Sequence, residues 1–226
     1  MSVTTFVFDA YGTLFDVAAA AQRAADDPAN GLPADIWPRL ADDWRRKQLE
    51  YTWLRTIMGA YADFATVTAD ALDWALERHR LTDPPLRQCL LDLYQDLPAY
   101  PEVPAVLANL RASGYRLAIL SNGTPAMLAS ATRAAGIDTL IESALSVDAL
   151  RQYKPLAAVY SMVEQHLGVA PRHVMFVSSN GWDIAGATRF GFKTTWVNRA
   201  NLPQDRLPHT PLNTIPDLTH LPRLLS

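Results

Sequence analysis

Thr4-Thr5-Phe6-Val7-Phe8-Asp9-Ala10-Tyr11-Gly12-Thr13-Leu14 is the stretch that decides the fold. Thr4 to Phe8 are β-branched or aromatic and read as a buried strand. Asp9 to Thr13 are turn-prone and break it, so a loop stands at the strand's C-terminal end. A buried first strand is one member of a sheet. The rest of the chain decides whether that sheet is built.

From about Asp16 to Pro98 the spacing is helical and no strand is predicted. Leu40, Trp44, Tyr51, Leu54 and Met58 recur at helical intervals, which predicts a long helix from about Ile36 to Met58. Further helices are predicted from about Thr68 to Arg80 and from Pro85 to Leu97. Beyond Pro101 the pattern alternates. Helices are predicted over Val103 to Ala112, Pro125 to Ala135, Pro155 to Leu167 and Asp183 to Phe190. Strands are predicted at Arg116 to Leu120, Ala144 to Val147, Val174 to Val177 and Thr194 to Val197. The tail after Asn201 is Pro-rich, with a short helix near its end. Strand–helix alternation predicts an α/β fold, a doubly wound parallel sheet covered on both faces. The helical block inserted after the first strand reads as a cap. The predicted division is a core of residues 1–15 and 99–226 and a cap of residues 16–98.

Composition narrows the function. The chain has 226 residues, 49% of them hydrophobic and 19% charged, which is a globular balance. The net charge is −3 with no basic cluster, so nucleic-acid binding is not expected. Cys89 is the single cysteine, which excludes an intrachain disulfide and a cysteine-built zinc site. It is expected to be a buried small hydrophobe. No apolar run approaches the roughly 20 residues of a membrane span. No signal peptide is recognised at the N-terminus, and a soluble cytoplasmic protein is expected. His79, His166, His173, His209 and His220 are scattered and read as structural or surface residues. Nucleotide-loop, zinc-protease and serine-hydrolase motifs do not occur.

Ligands of open α/β sheets bind outside the carboxyl ends of the strands. The polar residues predicted there are Asp9 and Thr13, then Ser121 and Asn122, then Lys154, then Ser178, Ser179, Asn180 and Asp183. Each alone has an ordinary reading as a turn, cap or solvated residue. Together they stand at one edge of the sheet, under the cap.

Four segments carry a resemblance. Asp9-Ala10-Tyr11-Gly12-Thr13-Leu14, Leu120-Ser121-Asn122-Gly123, Tyr153-Lys154-Pro155 and Phe176-Val177-Ser178-Ser179-Asn180-Gly181-Trp182-Asp183 are similar to the four motifs of the haloacid dehalogenase superfamily. Ser178-Ser179-Asn180 and the cap segment from Trp44 to Leu54 resemble the L-2-haloacid dehalogenases in particular. The resemblance covers nearly the whole chain.

It implies hydrolysis of an L-2-haloalkanoate to a D-2-hydroxy acid and halide, with Asp9 as nucleophile and an ester on Asp9 as intermediate. Lys154 would keep Asp9 ionised and steer it. Arg45 and Asn122 would receive the halide. Tyr11, Leu49, Phe64 and Trp182 would line the pocket. Ser121 and backbone N–H groups near Tyr11 and Asn122 would hold the substrate carboxylate. Asp183 would act as base or orienter, supported by Asn180, Ser178 and Tyr160, and Thr13 would hold the Asp9 loop. Arg45 and Arg46 point about 100° apart on a helix. The motif selects Arg45, leaving Arg46 to solvent or an interface.

Most members of the superfamily are magnesium-dependent phosphatases. They carry an acidic residue where this chain has Tyr11, and a Gly-Asp pair where it has Ser178-Ser179. Magnesium prefers carboxylate and phosphate oxygen. No metal and no cofactor are therefore expected. A phosphatase remains the alternative function, and a non-catalytic binding protein a third. The related dehalogenases pair through their caps. Tyr51, Trp53, Leu54, Ile57, Met58 and Tyr61 cover more than one helix face, so a homodimer through the cap is expected.

Overall fold

The structure, a computed structural model, describes residues 2–225. Six strands make one sheet: β1 (Thr5–Phe8), β2 (Arg116–Ser121), β3 (Ser143–Ser146), β4 (Val174–Ser178), β5 (Lys193–Val197) and β6 (Asn213–Ile215). All neighbours are parallel and the order is β3-β2-β1-β4-β5-β6. The chain steps outward from β1 to β3, returns beside β1 at β4, and steps outward the other way. Right-handed crossovers then place the helices of the two halves on opposite faces. The doubly wound sheet is as predicted.

Burial explains why these strands are continuous apolar runs. β1 and β4 are buried along their whole length, as central parallel strands covered on both faces must be. The order reverses between β1 and β4, and a crevice opens at the carboxyl end of such a switch point. Asp9 follows β1 there, and Ser179 to Asp183 follow β4.

The block inserted after β1 holds four α-helices: α1 (Ala19–Asp26), α2 (Trp37–Met58), α3 (Phe64–His79) and α4 (Pro84–Gln95). The block is helical throughout, as expected, and α1 is an addition to the prediction. Its two connections to the sheet run side by side. The Asp16 N–H donates to the Pro98 carbonyl at 2.9 Å, and the Tyr100 N–H to the Leu14 carbonyl at 2.9 Å. α2 buries Leu40, Ala41, Trp44, Gln48 and Thr52, a stripe at steps of three and four residues. Trp44 Nε1 donates across to the Thr68 carbonyl of α3 at 2.9 Å.

The remaining helices are α5 (Val103–Ala112), α6 (Pro125–Ala134), α7 (Ala157–Leu167) and α8 (Gly181–Phe190). Several boundaries differ from the sequence reading. α3 starts at Phe64 rather than Thr68, because the Asp63 carboxylate caps it through the Thr66 N–H at 2.7 Å. α7 starts at Ala157 rather than Pro155, and α8 at Gly181 rather than Asp183. β6 was not predicted. The terminal segment Leu218–Leu225 is a 3₁₀ helix. Cys89 is half-buried rather than fully buried.

Candidate active site

The centre of the crevice is a buried ion cluster. Lys154 Nζ donates to Asp9 Oδ1 at 3.0 Å and to Asp183 Oδ2 at 2.9 Å. Lys154 is 1% exposed, Asp183 is fully buried and Asp9 is 7% exposed, so Asp9 alone of the three reaches toward the cleft. Burial disfavours the charges on Lys154 and Asp183, and their partners oppose it. For Lys154, burial works against the ammonium, but Asp183 and Asp9 together outweigh it and raise its pKa. For Asp183, burial pushes the carboxyl up, Lys154 opposes this, and the Asp9 charge adds to the rise. Tyr160 Oη donates to the second Asp183 oxygen, Oδ1, at 2.7 Å. Both Asp183 oxygens are thus engaged.

Asp9 Oδ2 accepts from Thr13 Oγ1 and from Asn180 Nδ2, each at 3.0 Å. The Asp9 N–H donates to the Val177 carbonyl at 2.9 Å, which ties the Asp9 loop to the end of β4. A carboxylate with donors on both oxygens is held in one orientation. Asn180 was expected to support Asp183, but its side chain serves Asp9. Only its backbone carbonyl meets Asp183, accepting the Asp183 N–H at 3.1 Å. Ser178 Oγ accepts from the Asn180 N–H at 3.1 Å and so supports Asp9 at one remove.

Two glycines make the loops possible. Gly12 has φ +90°, in the left-handed region, and a Cβ there would stand 3.2 Å from Ser179 Oγ. A Cβ on Gly123 would lie 2.6 Å from Tyr11 Cε2, inside contact distance. Tyr11 can therefore lie flat over the loop that follows β2. There the Asn122 Oδ1 accepts from the Lys154 N–H at 3.2 Å, which positions the lysine segment. Ser121 Oγ accepts from the Gly123 N–H at 3.0 Å.

The helical block supplies one cation and an aromatic wall. Arg45 donates through Nη2 to the Tyr11 carbonyl at 2.9 Å and through Nη1 to Gln48 Oε1 at 2.8 Å. Arg46 points away and pairs with Asp43 and Glu50, half-exposed, as the helical angle requires. Phe64 is buried against Tyr11, with ring centroids 5.5 Å apart, and Tyr11 stacks on Tyr94 at 5.8 Å. Trp182 is half-buried and meets Trp53 edge-on at 5.3 Å. Leu49 is half-buried on α2, beside Gln48.

Asp9, Tyr11, Thr13, Arg45, Asn122, Lys154, Tyr160, Ser178, Asn180 and Asp183 are thus linked by these contacts, whereas Leu49 is placed only by its position on α2. Three participants, Arg199, Gln48 and Tyr94, were not singled out, and Ser179 was expected at the strand end without a role. The Ser179 N–H donates to Thr13 Oγ1 at 2.8 Å, and Arg199 donates to the Thr13 carbonyl at 3.0 Å. Gln48 and Tyr94 form a buried polar pair behind Arg45. The signal that could have found them was Gln48 itself, a polar residue on the inward stripe between Trp44 and Thr52.

A divalent cation fits these residues poorly. The two carboxylates in the crevice, Asp9 and Asp183, are both paired with the Lys154 ammonium. Tyr11, in place of an acidic residue, is buried among rings, and burial raises its phenol pKa further. Among the described residues no group of three or more His, Cys, Asp or Glu is placed to hold a metal ion.

A doubly wound parallel sheet, with a carboxylate at the switch point and a lysine bridging it to a second carboxylate, defines a class of hydrolase. Residues 3–191 match the family model described as haloacid dehalogenase-like hydrolase. The chain belongs to this family and, within it, to the (S)-2-haloacid dehalogenases. It is 44% identical to (S)-2-haloacid dehalogenase 1 of Pseudomonas sp. strain CBS-3, over 97% of this chain and 95% of the relative. It is also 44% identical to (S)-2-haloacid dehalogenase 4A of Burkholderia cepacia, over 90% and 87%. The solved structure of L-2-haloacid dehalogenase from Xanthobacter autotrophicus with chloropropionic acid covalently bound superposes with a TM-score of 0.89. That protein is 36% identical, over 99% of this chain and 98% of the other.

Proposed function

We propose that this chain hydrolyses L-2-haloalkanoic acids to D-2-hydroxy acids and halide, with Asp9 as the nucleophile. The observation that carries the reading is the Lys154 bridge between Asp9 and Asp183. Tyr11 and Ser178-Ser179 stand where the phosphatases of this superfamily carry acidic residues, so a phosphatase is not favoured.

In the first step an Asp9 oxygen attacks Cα opposite the halogen. The carbon–halogen bond breaks, the halide leaves with the bonding pair, and Cα inverts. The product is an ester of Asp9. In the second step water attacks the ester carbonyl of Asp9, the acyl C–O bond breaks, and a proton is released. The hydroxyl oxygen of the product is thus an old Asp9 oxygen, and the new Asp9 oxygen comes from water. Splitting a hard displacement into two steps is the general benefit of covalent catalysis.

The other roles follow the contacts. Thr13 and Asn180 aim Asp9. Arg45 and Asn122 receive the halide, as charge develops on it. Ser121, whose oxygen is already an acceptor, retains its proton to donate to the substrate carboxylate. Tyr11, Leu49, Phe64 and Trp182 form the apolar wall. With both oxygens engaged and no exposure, Asp183 serves as orienter of Lys154 and as a relay for protons rather than as the sole base. Tyr160 fixes its direction, with Ser178 acting through Asn180. The block of residues 16–98 is the cap that closes the site from above. A single turnover in ¹⁸O-labelled water tests the scheme. The label is expected in the Asp9 peptide and not in the hydroxy acid. Label directly in the product would mean attack by water on Cα.

The chain is further proposed to be a cytoplasmic homodimer joined through α2. No helix among the described residues is long and apolar enough to cross a membrane. Leu54, Ile57 and Met58, at the end of α2, are 43%, 80% and 67% exposed, which is costly for an isolated chain in water.

A further inference from the structure

We propose that Gln48 is the residue that positions Arg45 toward the leaving halide, and that Thr68 sets the direction of its amide. The inference rests on the dehalogenase reading, which makes Arg45 a halide donor.

Gln48 is 1% exposed, between α2, α3 and α4. A buried amide costs stability unless its polar atoms are satisfied, and an apolar side chain would fill the same space without that risk. Its bonds form one directed chain. Thr68 Oγ1 donates its only proton back to the Phe64 carbonyl at 2.6 Å. The oxygen can then only accept, so the neighbouring amide must turn its nitrogen toward it. Gln48 Nε2 does so at 2.7 Å. Gln48 Oε1 is thereby turned to Arg45 and accepts from Nη1 at 2.8 Å. The Tyr94 hydroxyl, 3.1 Å from Nε2 and 3.2 Å from Oε1, closes the group from α4.

The guanidinium is planar, so anchoring two of its nitrogens fixes its plane. Gln48 holds Nη1 from the helical block, and the Tyr11 carbonyl holds Nη2 from the nucleophile loop. Without Gln48 the head group is held at Nη2 alone, by the Tyr11 carbonyl at 2.9 Å and more weakly by Asn180 Oδ1 at 3.5 Å, and pivots there. Displacement of a catalytic group by about 1 Å can cost on the order of a hundredfold in rate. Because the lost contact is to the departing halide, the loss should be larger for the poorer leaving group.

The test is kcat/KM for halide release from L-2-chloropropionate and L-2-bromopropionate, in wild type, Gln48→Met and Thr68→Val. Gln48→Met should lower chloride release by roughly tenfold to a hundredfold. It should lower bromide release by less, so that the bromide-to-chloride ratio rises. Thr68→Val keeps the shape of α3 and should move the ratio the same way by a smaller factor. It decides the matter if Gln48→Met does not fold. An amide that only stabilises the helical block would lower the melting temperature and reduce both substrates alike. An unchanged ratio in an active enzyme overturns the role of Gln48 alone. Silence of the wild type on both substrates overturns the dehalogenase reading, and this inference with it.

Discussion

Asp9 receives three hydrogen bonds, from Lys154, Thr13 and Asn180, and each bond comes from a different segment of the chain. Its replacement by Asn removes the nucleophilic charge while keeping the shape. Asp9→Asn should abolish halide release and leave the fold intact by circular dichroism. Lys154 is different, because it neutralises two carboxylates. Lys154→Met leaves both buried and unpaired, which should cost on the order of 3–5 kcal/mol in denaturant unfolding. Its contribution has a pH window. With the Lys154 pKa raised, the stabilisation is present below the ordinary lysine value and is lost as pH rises through the raised one.

Asp183 gives the acid side. Burial and the Asp9 charge raise its pKa, while Lys154 and the Tyr160 hydrogen bond pull it down. If the ionised form is required, the acid limb of kcat/KM should lie above the ordinary Asp value of about 3.9. Tyr160→Phe removes one stabilising bond to the carboxylate, so the limb should move to higher pH. A limb that stays in place in the variant would mean that Asp183 does not govern it. Asp9 and Asp183 were legible because they follow predicted strands, and Lys154 because it stands in a Tyr-Lys-Pro segment just ahead of a predicted helix. Gln48 and Arg199 were not, since a buried glutamine in a helix and an arginine two residues past a strand acquire meaning only from their partners.

At the scale of elements, the sequence reading succeeded where large apolar residues recur. The strands at the centre of the sheet are unbroken apolar runs, and α2 carries aromatic and aliphatic residues at helical spacing. It failed where that signal is weak. α1 buries only alanines, namely Ala19, Ala20, Ala21 and Ala24, so its inward face has no large side chain to mark it. β6 has three residues and pairs with β5 alone, at the edge of the sheet. The start of α3 was misplaced because the cap, Asp63, was not weighed against the later apolar spacing. The loop after β2 gives a prediction at this scale. Gly123→Ala drives a methyl into the Tyr11 ring, so Tyr11 must move. The variant should lose about 1–3 kcal/mol of stability by chemical denaturation, the usual cost of overpacking. Its KM should rise with the displaced wall. A variant as stable as wild type would mean that the ring shifts freely.

At the scale of the whole molecule, one sheet edge gathers the reacting groups and the helical block lends Arg45. The doubly wound topology followed from strand–helix alternation. The order of the outer strands did not, because short edge strands carry little pattern. The exposed apolar end of α2 belongs to this scale as well. Size-exclusion chromatography at micromolar concentration should give a dimer, and Ile57→Asp should give a monomer. A wild-type monomer would remove the proposed interface.

The proposed chemistry rests on one event, the displacement of halide from one enantiomer by Asp9 beside Lys154 with no metal involved. The decisive measurement is halide release from L- and D-2-chloropropionate, with and without EDTA, in wild type and Asp9→Asn. Release is expected from the L enantiomer alone, unchanged by EDTA and absent in the variant. No release from either enantiomer, with EDTA-sensitive hydrolysis of a phosphate ester instead, would contradict it.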